Sequence, residues 1–377
     1  MKLLIIINKD EGVLGPSETF LHAHINGLPC EVVTLVGNPG FRCLDYVKKK
    51  YIPSRSIIPL GLRWILKQVG YTTSEQIDKK ALINFINKNK INSVLAEYGP
   101  TAVTVMDACK EACIPLIAHF HGWDAHSHYL RQLHAEDYKK LFGTASAVIA
   151  VSNHMRNVLI DLGANPEKTY HNACGADIPK DLSAKPEVSK CRFAMVGRLT
   201  EKKAPFISLI AFSEVVKQYP ECHLDIIGDG PLMDASNQVC QGLNITKNVT
   251  FHGAQPHSKV IELLKQVRCF IQHSVCAPSG DSEGTPVGVL EAMGMGLPVV
   301  STNHAGIMDI IKTGQTGSLV DEYDINAMAN EMLKYAKDPN HAKTIGDAAR
   351  NKVLNNWTNE KSILNLWEII DSVSKKQ

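Results

Sequence analysis

Two carboxylates, Glu283 and Glu291, stand with seven residues between them in E-G-T-P-V-G-V-L-E. The polar, glycine-bearing loop 279–285 runs into a helix that Pro286 can open, since proline suits the first helical position. That helix should end near Gly294 and Gly296, and residues 297–300 then read as a short buried strand. The unpaired N–H groups of Val287 and Gly288, at the positive helix end, would face a phosphate. Gly288 lacks a side chain, so a ligand can come close to the backbone. Glu283 in the loop can grip hydroxyls above the phosphate, and Glu291, about a turn deeper, those on its far side. A sugar on one side of a diphosphate and a ribose on the other is the ligand this chemistry suits. A capped helix with two solvated glutamates is the simpler alternative, but it leaves the glycine-rich approach unexplained.

Three further groups carry chemistry. Arg198 and Lys203 flank the strand-to-helix loop G-R-L-T-E-K-K, where arginine offers a planar fork for phosphate oxygens and lysine a mobile point charge. A solvated basic loop is the alternative reading of that pair. The turn G-D-G-P at 228–231 ends another strand, a feature common in α/β folds. His121, in H-F-H-G-W-D at 119–124, follows an apolar strand and so lies at its carboxyl end, where open α/β sheets place ligands. It could bond a sugar hydroxyl or stabilise developing charge. Histidines 126, 128 and 134 follow at spacings that match no usual zinc template, so no metal is expected.

These residues need a scaffold of strand ends and helix starts. The N-terminal half supplies strands at 3–7, 31–36, 91–96, 115–120 and 147–151, with helices at 18–26, 101–112 and 153–162. The second half has strands at 192–196, 223–227, 249–251 and 269–272 and a helix at 205–218. Such alternation argues a parallel sheet with helices on both faces, twice over. The polar stretch 180–190 reads as the linker. Residues 357–374 read as a terminal helix, with Ile363, Leu364, Leu366, Trp367 and Ile370 at helical spacing. The domain reading is 1–178, 190–356 and a last helix 357–377.

At 377 residues and net charge +2, the chain can hold two domains and has no electrostatic case for a nucleic-acid partner. No apolar run approaches a membrane span, and the apolar start is too short for a signal peptide and lacks a cleavage site. Ten cysteines without a C-x-x-C pair suggest a reducing cytosol. Residues 41–70 mix basic and apolar side chains, which fits contact with an anionic membrane or, equally, a helix pair packed on the sheet.

Taken in order, H-G-W-D, V-G-R-L…K-K, G-D-G-P and E-G-T-P-V-G-V-L-E resemble the retaining GT-B glycosyltransferases of family 4. S-E-T-F at 17–20 and C-G-A-D at 174–177 are similar to the subgroup building bacterial exopolysaccharides such as colanic acid. The resemblance implies two Rossmann-like domains facing a central cleft, the last helix crossing back to the first domain. It implies a nucleotide-sugar donor on the second domain and a saccharide or lipid-linked acceptor on the first. By motif, Arg198 and Lys203 would hold the diphosphate, Glu283 the donor sugar and Glu291 the ribose. Gly197, Gly284 and Pro286 would contact the nucleotide sugar, the amides near Val287 and Gly288 would touch its phosphate, and Gly15 would let backbone approach the diphosphate. His121 would touch the sugar near the reacting carbon, with Ser17, Glu18 and Asp124 on the acceptor side. His121, Arg198, Lys203 and Glu283 are the catalytic candidates. No D-x-D occurs in the chain, so the resemblance implies metal-free transfer without a cofactor. The chain departs from the family pattern at Met308-Asp309, where Pro-Glu is frequent, and at Glu97, where histidine is. Its first loop also lacks a double glycine.

A nicotinamide dehydrogenase should show G-x-G-x-x-G after its first strand, and Gly12-Val13-Leu14-Gly15 does not. A sugar-nucleotide epimerase and a non-catalytic nucleotide-sugar binder remain as alternatives. The first would turn over donor without acceptor.

Overall fold

The computed structural model describes residues 1–8, 18–37, 42–45, 50–53, 74–179 and 181–375. It divides into two compact units, Met1–Asn172 with Ser362–Gln377, and Ala173–Lys361.

The first unit contains β1 (Lys2–Ile7), β2 (Glu31–Val36), β3 (Arg42–Asp45), β4 (Lys50–Pro53), β5 (Ser93–Glu97), β6 (Leu116–Phe120), β7 (Ala147–Ala150) and β8 (Thr169–His171). They form one sheet in the order β4-β3-β2-β1-β5-β6-β7-β8. The β2–β3 and β3–β4 pairs are antiparallel and the others parallel. Leu3 to Ile7 are all buried, as a central parallel strand covered on both faces requires. The helix Asn359–Ser374 sends Ile363, Leu366, Ile370 and Val373 into this unit's core, against Leu21 and Ile25 of the helix Thr19–Gly27. Fully burying Leu366 or Ile370 contributes about 1.5–3 kcal/mol each. Leu364 points the other way and is 56% exposed, because one helical step from Ile363 turns it off the apolar stripe. The terminal helix starts at Asn359, not at residue 357. Ala176 pairs with Thr358 there, donating its N–H to Trp357 O (3.0 Å) and accepting from Asn359 N (3.1 Å).

The second unit holds β9 (Arg192–Val196), β10 (His223–Ile227), β11 (Val249–Gly253), β12 (Cys269–Gln272), β13 (Val299–Thr302) and β14 (Ser318–Val320). The order is β11-β10-β9-β12-β13-β14, parallel throughout. The strand order reverses at β9, between β10 and β12, and doubly wound sheets bind ligands beyond the carboxyl ends at such a switch point. Strand β13 begins later than the apolar run suggests. Leu297 N donates to Ala292 O (3.1 Å) to close the preceding helix, and Pro298 has no N–H to give a ladder. The stretch read as a linker packs on this unit: Ala184 is buried, and its N–H donates to Met295 O (2.7 Å).

Cys191 and Cys222 form a disulfide just ahead of β9 and β10. Among the described residues no helix is long and apolar enough to cross a membrane.

Candidate active site

In the second unit the loops after β9, β10 and β12 meet at the switch point. Gly197 turns the chain out of β9 at φ 142°, and the short helix Glu201–Lys203 leads into the helix Pro205–Gln218. The β9 and β10 loops are tied by Gly197 N to Ile227 O (3.0 Å), Leu199 N to Asp229 O (3.0 Å) and Leu232 N to Leu199 O (3.1 Å). V-G-R-L and G-D-G-P are thus two halves of one feature.

That feature delivers Lys203 to Glu283. Lys203 Nζ lies 2.8 Å from Glu283 Oε1, which also accepts from Ser274 Oγ (3.1 Å). Lys202 holds the same loop, donating to Asp281 Oδ1 (3.0 Å) and Ser282 O (3.3 Å). Burial alone would push the Glu283 carboxyl up. The Lys203 and Lys202 charges override it and pull the carboxyl down to about 2, so it is ionised across the working range. Arg198 is exposed, and its side chain has no partner among the described residues.

A second brace holds the Glu283 backbone. His304 Nε2 accepts from Glu283 N (3.2 Å), while Nδ1 lies 2.6 Å from Glu322 Oε1. Accepting at one nitrogen requires the proton at the other, so His304 donates to Glu322 through Nδ1. Glu322 Oε2 accepts from Cys276 N (3.1 Å), so one carboxylate fixes both ends of the loop. In Glu322→Gln the amide can serve His304 or Cys276 but not both. The donor KM should rise about 5-fold, the loss of roughly one net hydrogen bond, with little change in melting temperature. An unchanged KM would remove the brace from the site.

The following helix runs Val287–Gly294. Pro286 occupies the cap and not the first helical position, its carbonyl accepting from Val289 N (2.9 Å) and Leu290 N (3.2 Å). A Cβ on Gly288 would meet Val196 O at 3.2 Å, so this glycine lets the helix start pack on the end of β9. Gly284 is buried beside Thr285, whose Oγ1 accepts from Cys174 N (3.0 Å), and this ties C-G-A-D to the same loop. Glu291 is 7% exposed and bonds His257 Nε2 at 3.0 Å. That bond raises the His257 pKa against the opposing effect of burial.

In the first unit His121 leaves β6 with Nε2 2.7 Å from Glu97 Oε2. Phe20, the last residue of S-E-T-F, stacks on its ring at 4.4 Å between centroids. Glu18 accepts from Tyr98 Oη (2.8 Å). Asp124 is buried. Its Oδ1 accepts from His121 N (3.0 Å) and Gly122 N (2.9 Å), and its Oδ2 from Gly99 N (2.9 Å). Burial raises the Asp124 pKa against these bonds. Asp124 therefore shapes the loop that carries His121, with both oxygens occupied.

The second unit brings Gly197, Lys203, Glu283, Gly284, Pro286, Val287, Gly288 and Glu291 to its strand ends, with Arg198 exposed on the β9 loop. Gly15 and Ser17 lie outside the described residues, as does most of the basic stretch 41–70. Sequence reading missed Ser274, His257, His304 and Glu322. Glu97 was noted only as a departure, although its place at the end of β5, beside β1, was a usable signal.

Residues 181–352 match the family model "Glycosyl transferases group 1", and residues 47–179 match "Glycosyltransferase Family 4". The protein WcaL of Salmonella typhimurium, assigned to colanic acid biosynthesis, is 28% identical over 264 residues, 69% of this chain and 65% of its own length. The amylovoran biosynthesis glycosyltransferase AmsK of Erwinia amylovora is 30% identical over 258 residues, 68% of this chain and 63% of its own. The chain thus matches just under two thirds of the length of either relative. The crystal structure of Anabaena HepE in complex with UDP aligns at TM-score 0.76 and 18% identity, covering 99% of this chain and 100% of that one, which establishes a shared fold. With both halves matched and the architecture shared, the chain belongs to the GT-B glycosyltransferases that pair a family 4 domain with a group 1 domain.

Proposed function

We propose that the protein transfers a sugar from a nucleotide-diphosphate sugar to a saccharide or lipid-linked saccharide in exopolysaccharide biosynthesis, with retention and without a metal. The observation that carries this is the Lys203–Glu283–Ser274 cluster at the strand-order reversal, beside the helix start at Val287 and Gly288. The relatives named for colanic acid and amylovoran support the pathway, and the UDP and UDP-glucose complexes of HepE support a nucleoside diphosphate as ligand. In this reading Glu283 Oε2 takes donor-sugar hydroxyls and Glu291 the ribose. The acceptor hydroxyl bonds to the sugar's anomeric carbon on the face the nucleotide leaves. The carbon–oxygen bond to phosphate breaks, and a departing phosphate oxygen takes the acceptor proton. Lys203, Arg198 and the helix-start amides offset the charge that develops on the leaving group. His121 contacts the sugar, and no protein base is needed.

The reading places the work in the cytoplasm, with residues 41–70 touching the inner membrane face. Co-sedimentation with anionic liposomes at low salt tests that contact, and its absence removes it.

Thermal shifts with UDP-, GDP- and ADP-sugars and with NAD, with and without EDTA, test the donor site. One nucleotide class should raise the melting temperature equally in both conditions, and transfer should retain full rate in EDTA. Strict need for an added divalent ion would overturn metal-free transfer. Epimerised donor without any acceptor would favour the epimerase, and a shift with NAD alone the dehydrogenase.

A further inference from the structure

Beneath His121 lies a buried cluster that the proposed reaction does not use. Glu97 is wholly buried, and three imidazoles surround its carboxylate. Its Oε1 lies 2.7 Å from His24 Nδ1, and its Oε2 lies 2.7 Å from His121 Nε2 and 3.2 Å from His119 Nδ1. Burial opposes ionisation of Glu97, but the His24 charge and then the His119 and His121 contacts hold it well below the usual carboxylate range. An ionised carboxylate only accepts, so the nitrogens bonded to it must carry protons. Burial lowers the pKa of His121 and takes that of His119 to about 4, so both rings are neutral near pH 7. A neutral His121 with its proton on Nε2 has a bare Nδ1. That atom is buried and has no hydrogen-bond partner among the described residues, and a buried polar atom left unpaired calls for a ligand or a function. Phe20 against one face and Tyr98 at 5.0 Å fix the ring plane.

We infer that Glu97 is a positioning residue: it locks His121 in the Nε2–H tautomer, so that Nδ1 serves as the acceptor for a substrate hydroxyl. The functional half of this rests on the reading of His121 as a sugar contact; the tautomer itself does not.

His24, Glu97 and His119 also place ligand atoms within 4.8 Å of one another, as a metal would need. Within that trio, His24 Nδ1 and Glu97 Oε1 are 2.7 Å apart, a hydrogen-bond length. Nitrogen and oxygen ligands about 2.0–2.1 Å from a tetrahedral zinc stand roughly 3.3 Å apart. Hydrogen bonding is therefore the better account.

Side-chain 15N spectra of histidine-labelled protein test the tautomer without any substrate, with His121→Asn assigning the signal. We expect the Nε2–H pattern at pH 7, converting to a tautomer mixture in Glu97→Gln. A glutamine offers one accepting oxygen and one donating nitrogen, so it cannot serve all the imidazoles that Glu97 serves. A His121 signal with its proton on Nδ1, or one unchanged in Glu97→Gln, would overturn the proposal. Turnover then tests the consequence. Glu97→Gln should lower kcat at least 10-fold while the nucleotide-induced thermal shift persists, and adding it to His121→Ala should cost nothing more. Equal additive losses would overturn the coupling. Stoichiometric zinc in the wild type that Glu97→Gln removes would replace the proposal with a metal centre. Full turnover by His121→Ala, with the spectra as expected, would instead remove only the sugar contact.

Discussion

Lys203→Ala should abolish sugar transfer and lower stability by about 3–5 kcal/mol, the cost of leaving one partner of a buried ion pair behind. Lys203 and Glu283 side chains are only 13% and 6% exposed and lie 2.8 Å apart, so without Lys203 the Glu283 carboxylate is left to Ser274 and the more distant Lys202 and His304. The sign with pH follows from the depressed Glu283 carboxyl. The pair's contribution is complete above the unfolded carboxylate pKa and is lost as pH falls through the folded value of about 2. Wild-type melting temperature should therefore drop steeply between pH 4.5 and pH 2, and the variant should lose much of that slope. The double variant Lys203→Met with Glu283→Gln removes both charges and should recover most of the stability, because neither group is then buried alone. Transfer should stay at least 1000-fold down, as expected when a fixed charge aimed at a leaving group is lost. Thermal unfolding beside a single-turnover assay separates the two effects. A stable, active Lys203→Ala would remove this lysine from both the fold and the chemistry.

Gly228→Ala should be the most damaging single methyl group in the second unit. A Cβ there would sit 1.9 Å from Gly197 O and 2.8 Å from Gly197 C, at a φ of 145° that L-residues rarely adopt. Neither neighbour is a flexible side-chain end, so the β9 and β10 loops would have to separate. We expect a loss above about 4 kcal/mol, in the range reserved for core overpacking and backbone strain. Gly242→Ala is the control. A Cβ at Gly242 meets nothing within 4 Å, and it closes the helix Met233–Gly242. That change should be neutral or stabilising by about 0.5 kcal/mol. Chemical denaturation of both variants reads the contrast, and similar midpoints would refute the close crossing of the two loops.

Much of this was legible in the residues. The apolar runs of β1, β9, β10 and β12 mark buried parallel strands because such strands need side chains for both faces. The helix from Val287 to Gly294 was visible from its proline and glycine punctuation. The motif residues of the second half lie at strand ends because a strand–helix alternation puts every such loop on one edge of the sheet. Local chemistry, spaced along the chain, determined those features.

What the tertiary structure alone decided is which of these groups touch. Lys203 and Glu283 are 80 residues apart in sequence and meet only because β9 and β12 are neighbours in the sheet. Glu322 reaches Glu283 through His304 because β13 and β14 extend the same sheet. Asp124 resembles a free carboxylate in sequence and is instead consumed by three backbone amides. Glu97 takes its meaning from His24, His119 and His121, which two other segments, the helix Thr19–Gly27 and the end of β6, bring around it. Periodicity and motif report each residue's own surroundings along the chain. Strand order sets the long-range pairs, and burial then fixes their protonation.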